Sequence, residues 1–304
     1  MMNRRGWMGS TLAGVAAVTG AAAAVAATPR RTVVEGIAVE AVQMPAWIDQ
    51  GGRRMPLAPG DRVRSDQVIE TGAGAALVLV LPEGSRINLG EKSQLGIARL
   101  ATERQDGQTA VRTDLKLLEG FFRFATTSIS RVTGRRDVRV TLRTATVGIR
   151  GTDFWSMTDA AHDAVCLFEG KVALDTRDQG ALSLEKPSAF WARFFDRPVQ
   201  PVGVATPDQL AGFIASAALK SGTGVAVAGG EWQLVATSTT DSREALQSAG
   251  RLRAAGFPAQ LVESRGRHEV RIDQLATRDD AQGLLVRLGD LAGPSSRVAP
   301  AAGR

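Results

Sequence analysis

Between Val33 and Leu174 the apolar positions come in short alternating runs, separated mostly by glycine, aspartate or asparagine. Ala76-Leu77-Val78-Leu79-Val80-Leu81 runs into Pro82-Glu83-Gly84, after which Ser85-Arg86-Ile87-Asn88-Leu89 alternates polar with apolar. Pattern and turn chemistry together predict a β-hairpin. Further strands are expected at 94–97, 114–118, 121–124, 138–142, 153–157, 164–168 and 172–175, and no ten-residue stretch here carries a helical stripe. Residues 33–175 therefore read as an all-β module of short strands, β-roll or solenoid-like.

The texture changes after residue 198. Leu210, Phe213, Ile214 and Ala217 recur at helical spacing behind Thr206, a natural N-cap, and Pro207, suited to the first helical position. Ser221-Gly222-Thr223-Gly224 and Gly229-Gly230 then give 198–230 the composition of a short helix and a flexible linker. Beyond it strand and helix alternate, with strands at 232–236, 259–262 and 269–272 and helices at 242–255 and 278–291. Leu246, Ala249, Leu252 and Ala255 keep one helical face apolar, as do Ala281, Leu284, Leu285 and Leu288. Strand-helix-strand-strand-helix over 231–292 predicts a small α+β sandwich, both helices on one face of the sheet and the other face open. Residues 293–304 have the composition of a disordered tail.

Composition narrows function. The single cysteine, Cys166, permits no internal disulfide and no cysteine-based zinc site, and the two histidines, His162 and His268, lie far apart. Cys166 sits in an apolar strand and reads as core. His162 lies in a turn near Asp163 with no nucleophile in prospect, and no phosphate-cradling glycine motif occurs. The reading is of a non-enzyme that needs no cofactor or metal. The net charge of +6 is spread thinly, and only residues 131–143, with five arginines against Asp137, are locally dense. No aromatics interleave with them, so they read as a solvated loop and strand face, and nucleic acid is not an expected partner.

Residues 1–28 carry a different signal. Arg4 and Arg5 form a basic start, residues 8–25 are an uncharged Ala/Gly/Val run, and Ala24-Val25-Ala26 is a small-x-small cleavage site before Ala27. Export to the periplasm is expected, by the general or the twin-arginine route, and an uncleaved segment would leave a membrane anchor.

Two family resemblances follow from particular blocks. Pro59-Gly60-Asp61, Glu70-Thr71-Gly72, Pro82-Glu83-Gly84-Ser85-Arg86-Ile87, Leu118-Glu119-Gly120, Val147-Gly148-Ile149-Arg150-Gly151-Thr152-Asp153-Phe154 and Glu169-Gly170-Lys171-Val172 make 33–175 resemble the FecR family domain, an extracytoplasmic β-rich module. Arg150 is read as a structural arginine paired between strands. Well-known members regulate sigma factors from the membrane through a helical cytoplasmic domain. Only a few residues precede the apolar run here, so no direct sigma-factor role is expected. Trp232 to Phe257, Leu252-Arg253-Ala254-Ala255-Gly256-Phe257-Pro258-Ala259 and His268-Glu269-Val270-Arg271-Ile272 make 231–292 resemble a SPOR domain. That family binds peptidoglycan glycan strands that lack stem peptides. Its first-strand glutamine falls on Val235, its Gly-x-Phe on Thr237-Ser238-Thr239, and its third-strand aromatic on His268.

Alternation along 232–237 turns Trp232, Leu234 and Ala236 toward the helices and Gln233, Val235 and Thr237 outward. Val270 and Ile272 go inward, Glu269 and Arg271 outward, and Gln260 joins the outer face. Gln233, Thr237, Gln260 and Arg271, with His268, then supply amide, hydroxyl, imidazole and guanidinium groups for a glycan. The expected function is an exported, non-catalytic envelope protein that binds peptidoglycan. The alternative is envelope signalling, with the FecR-like module binding a ligand or an envelope or membrane protein.

Overall fold

The computed structural model describes residues 36–105, 108–126 and 134–301, so the expected export segment 1–28 lies outside the described residues. Most of the first two-thirds of the chain folds into two stacked β-layers that share three long strands. One layer runs β1 (Ile37–Gln43), β6 (Ala76–Val80), β7 (Arg86–Leu89), the second half of β9 (Gln108–Ala125), the second half of β11 (Ala145–Thr158), the first half of β12 (His162–Thr176), β14 (Ala189–Phe194) and β15 (Gly203–Val204). The other runs β3 (Arg53–Pro56), β2 (Ala46–Gln50), β5 (Gln67–Thr71), β8 (Gln94–Gln105), the first half of β9, β10 (Gly134–Thr141), the first half of β11, the second half of β12 and β13 (Gly180–Leu184). The short β4 (Arg62–Val63) pairs with the start of β1. Ile87, Leu89, Phe122, Phe124 and Phe154 of the first layer join Ile69, Leu95, Leu115, Val140 and Val147 of the second in one core.

All-β character and the 76–89 hairpin are as the pattern predicts. The solenoid-like short strands are not. The pairs expected at 114–118 and 121–124, and at 164–168 and 172–175, are halves of β9 and β12. The glycines between them bend continuous strands from one layer into the other. A side chain at Gly120 (φ +90°) would fall 2.5 Å from the Cα of Ser93, and one at Gly170 (φ +87°) 2.6 Å from the carbonyl of Gly151. Close backbone approach with a left-handed φ explains why only glycine suits these corners. The sheet also continues past the expected boundary at 175, because β13 and β14 both pair with β12.

Thr206 and Gln209 form a capping box that starts α1 (Pro207–Ser216). This helix covers the outer face of the first layer. Phe213 stacks on Trp155 at 4.0 Å and on Phe190 at 5.6 Å, and the Trp155 indole N–H donates to Ser216 Oγ at 2.9 Å. Cys166 is buried in this aromatic cluster, and burial pushes its thiol up to about 12, so it serves as core.

The C-terminal region contains β17 (Trp232–Thr239), α2 (Ser242–Ala254), β18 (Gln260–Ser264), β19 (Arg267–Leu275), α3 (Arg278–Leu288) and β20 (Arg297–Pro300). The antiparallel strand order is β18-β19-β17-β20. Ala245, Ala249 and Leu252 of α2 and Ala281, Leu284 and Leu288 of α3 are buried in the core with Leu234, Val270 and Ile272. The disordered tail expected at 293–304 is corrected in part. Its residues 297–300 add a fourth strand along the free edge of β17, where Gln233 donates to the Pro300 carbonyl at 2.8 Å.

The flexible linker is corrected too. Within 221–230, β16 (Val225–Val227) pairs with β1 in register Ala41↔Val227 and touches β19 through Ala226↔Leu275. Asp280 holds it there: one carboxylate oxygen accepts the backbone N–H of Gly222, Thr223 and Val225 at 2.8, 3.2 and 3.1 Å, and the other accepts the Thr277 hydroxyl. Arg287 donates to the carbonyls of Thr223 and Ala73, and the Trp47 ring packs on Gly256. Arg31–Arg304 is accordingly a single compact unit.

Candidate functional site

Five residues are expected from the sequence to line the open face of the C-terminal sheet: Gln233, Thr237, Gln260, His268 and Arg271. They do not gather into one site. A β-bulge at Ala236 shifts the register, so that Val235 faces Arg271 but Thr237 faces Val270. One extra residue reverses the alternation, and Thr237 turns inward to hydrogen-bond Ser248 of α2 at 2.8 Å. Gln233 is buried and spends its amide on β20. His268 pairs with Thr239 and Glu263 and is half-buried, while Gln260 stays exposed beside Arg271.

The outer face is also less open than alternation implies. Val235 lies in register between Arg271 and Arg297 and is only 1% exposed. Arg271 and Arg297 both donate to Glu269, with Arg271 Nε at 2.8 Å and Arg297 Nη2 at 2.7 Å. Burial alone would raise the Glu269 carboxyl, but the hydrogen bonds from these two arginines outweigh it and hold the group below its usual range.

A denser constellation lies in the β-layers, where the sequence suggests only turns and paired strands. Arg86, Ala125, Asp153 and Glu169 stand in one transverse row through the registers Arg86↔Ala125, Ala125↔Asp153 and Asp153↔Glu169. Arg86 makes a two-pronged pair with Glu40 of β1, Nε at 3.0 Å and Nη2 at 2.9 Å. Arg123, two residues before Ala125, clasps Asp153 in the same way at 2.9 and 2.7 Å and lies over the Phe168 ring. The Pro-Glu-Gly-Ser-Arg, Arg-Gly-Thr-Asp-Phe and Glu-Gly-Lys blocks are therefore brought side by side. The Arg150 side chain lies outside the described residues. Side chains of Arg86 and Glu40 are half exposed, and pairs so exposed contribute only about 0–1 kcal/mol. The main product of this pair is a fixed surface pattern of charge rather than stability, whereas Arg123 and Asp153 are more deeply set.

Behind this row sits Glu83, only 4% exposed in the β6–β7 turn. Among the described residues, neither of its carboxylate oxygens has a hydrogen-bond partner. Arg136 donates instead to Ser85 Oγ at 2.9 Å and Thr126 Oγ1 at 3.3 Å. Burial raises the Glu83 carboxyl above its usual 4.5, tempered by Ser85 and the charge of Arg136. Because the folded state holds this proton more tightly, its contribution is complete below 4.5 and is lost as pH rises through the raised value. Stability should fall across that window, and Glu83→Gln should flatten the fall. Denaturant titrations at stepped pH test this, and superimposable pH profiles for the two proteins would count against it.

His162 sits apart from these groups, its Nδ1 3.1 Å from Asp159 and its ring stacked on Phe194 at 4.8 Å. Among the described residues no group of three or more His, Cys, Asp or Glu side chains is arranged to hold a metal ion. None of their helices is long and apolar enough to cross a membrane.

Residues 67–173 match the family model described as FecR protein, so this part of the chain is a FecR domain. Two crystal structures of a candidate anti-sigma factor from Parabacteroides distasonis also resemble the chain. The 1.65 Å structure has 18% identity, covers 47% of this chain and 62% of its own, and gives a TM-score of 0.37. The 2.50 Å structure has 14% identity, covers 78% of this chain and 99% of its own, and gives 0.38. Likeness this remote specifies neither topology nor function. No curated protein shows a significant match to the chain.

Proposed function

We propose that the chain is a non-catalytic signalling protein of the cell envelope, exported to the periplasm by residues 1–28, whose FecR domain receives an envelope or membrane protein. The observation that carries this reading is the alignment of the FecR blocks into one exposed charged row. The exposed Glu40, Arg86 and Glu169, with the Arg123–Asp153 pair between them, suit electrostatic selection of a protein partner, because charges at fixed spacing set register and reject partners with mismatched charge. The C-terminal module, pinned through β16 and Asp280, would move with the FecR domain.

The experiment places a photo-crosslinking residue at position 88, beside the row, in cells that make the full chain. A discrete crosslinked envelope protein is expected. Exchanging the charges, Glu40→Arg with Arg86→Glu, keeps their mutual pair but inverts the pattern and should abolish the crosslink. A crosslink indifferent to the exchange would remove the row from recognition.

A glycan-binding reading of 231–292 draws on the strand-helix-strand-strand-helix order with both helices on one face, the arrangement that the SPOR resemblance implies. Against it stand the inward Thr237 and the closed face around Val235. Co-sedimentation with purified peptidoglycan before and after amidase treatment tests it. A chain that crosslinks to nothing yet sediments with stripped glycan would replace the signalling reading by the cell-wall one.

A further inference from the structure

We infer that Glu83 and Arg136 form a proton-operated latch between the two β-layers, and that its state sets how tightly the charged row holds its partner. The inference rests on the role in recognition proposed for that row. Positions 136, 138 and 140 of β10 share one face, and Val138 and Val140 are buried in the core between the layers. Arg136 therefore points inward from the second layer, and it reaches Ser85 Oγ and Thr126 Oγ1, at the ends of β7 and β9 in the first. Both acceptors are buried, and each adjoins a member of the row in sequence, Ser85 next to Arg86 and Thr126 next to Ala125. The latch stands behind the row.

Glu83 shares this space, on the same turn as Ser85. Its carboxyl is buried with neither oxygen hydrogen-bonded, an arrangement that suits the protonated form. Loss of the proton would leave an unpaired charge in the interior, which costs far more than moving one side chain. Among the described residues, Arg136 is the cation whose charge acts on Glu83. The other charges on the adjoining elements are engaged elsewhere. Arg86 pairs with Glu40 of β1, and exposed Asp137 lies 3.6 Å from Arg139 on the outer side of β10. Ionisation therefore draws Arg136 toward Glu83 and off the hydroxyls of Ser85 and Thr126. With Glu83 neutral, the guanidinium ties the layers together behind the row. With Glu83 ionised, Ser85 and Thr126 lose that donor and the support of the row loosens. Partner binding is then tighter on the acidic side.

Nuclear magnetic resonance of the full chain, with its glutamate carboxyls carbon-13 labelled, reads the latch. The Glu83 signal, assigned by its loss in Glu83→Gln, should titrate above 4.5, and the amide shifts of Ser85 and Thr126 should step at the same midpoint. In Glu83→Gln, which stays neutral at every pH, those amides should hold their low-pH positions. Arg136→Gln keeps a donor for the two hydroxyls but no charge, and should move the Glu83 midpoint further up. A Glu83 carboxyl that does not titrate between about pH 4.5 and 8 overturns the latch, as do Ser85 and Thr126 amides that stay still while it does. The crosslink from position 88, measured at about pH 5 and about pH 7.5, reads the row. Its yield should fall several-fold at the higher pH in the wild type and stay high at both in Glu83→Gln. Equal wild-type yields overturn the regulation alone. No crosslink at either pH withdraws the recognition reading, and the regulation with it, even where the resonance step persists.

Discussion

Asp280→Ala should destabilise the protein by at least about 3 kcal/mol and turn residues 221–230 into its first site of proteolysis. Three backbone N–H groups, those of Gly222, Thr223 and Val225, converge on one oxygen of this buried carboxylate. Removing the acceptor leaves one buried and two partly buried donors unsatisfied, at about 1–3 kcal/mol for each fully buried group. Asp280→Asn keeps an acceptor of similar size but loses the charge, and should fall between alanine and wild type. Equilibrium denaturation gives the magnitude, and limited proteolysis with mass mapping gives the site. In the intact protein the glycine-rich stretch should resist cleavage, since β16 is hydrogen-bonded to β1 and its Val225 and Ala226 are buried. First cleavage there in the wild type would show that the two modules are not docked.

Gly120→Ala should cost about 3 kcal/mol or more. The new Cβ would lie 2.3 Å from Ser93 Oγ and 2.5 Å from Ser93 Cα. Ser93 cannot yield easily, because its N–H donates to Thr71 Oγ1 and its hydroxyl accepts from the Phe121 N–H, both at 2.9 Å. The left-handed backbone adds roughly 1–2 kcal/mol for any residue with a Cβ, and overpacking typically adds about 1–3. Gly60→Ala separates the two contributions. Gly60 has a similar φ of +95°, but nothing lies within 4 Å of where its Cβ would stand, so only the backbone strain should appear. Equal losses of thermal stability at the two positions would contradict the steric account.

The readable part of the fold is local. The 76–89 hairpin shows in its alternation and Pro-Glu-Gly turn, α1 in its Thr206–Pro207 start, and α2 and α3 in their apolar stripes. Strand length is not legible, because glycine has the same signature at a bend as at a chain reversal. Gly120 and Gly170 have positive φ like turn glycines, yet the chain continues forward into the second layer. Thr277 caps α3 and its hydroxyl donates to Asp280, but nothing local in the sequence says that the carboxylate also collects three N–H groups from 222–225.

The candidate site divides in the same way. The FecR blocks are legible because the backbone demands of their glycines are local. Their convergence is not, since Arg86, Arg123 and Asp153 come from three strands aligned only by sheet register. Thr237 departs from expectation for a related reason: alternation predicts a face only while the ladder is regular, and the bulge at Ala236 arises from pairing with β19.

By itself the sequence determined that residues 67–173 make a FecR domain, that the chain is β-rich, and where the three α-helices of the described residues lie, because periodicity, capping and turn chemistry act over a few residues. Tertiary structure alone decided that Gly-rich 221–230 is a strand between two modules, that the tail closes a sheet, and that the charged side chains form a row. Each of these depends on a partner distant along the chain, β1 for β16, β17 for β20, and neighbouring strands for the row. Composition describes what a segment does when nothing is beside it, and here a free sheet edge or a buried carboxylate was beside it.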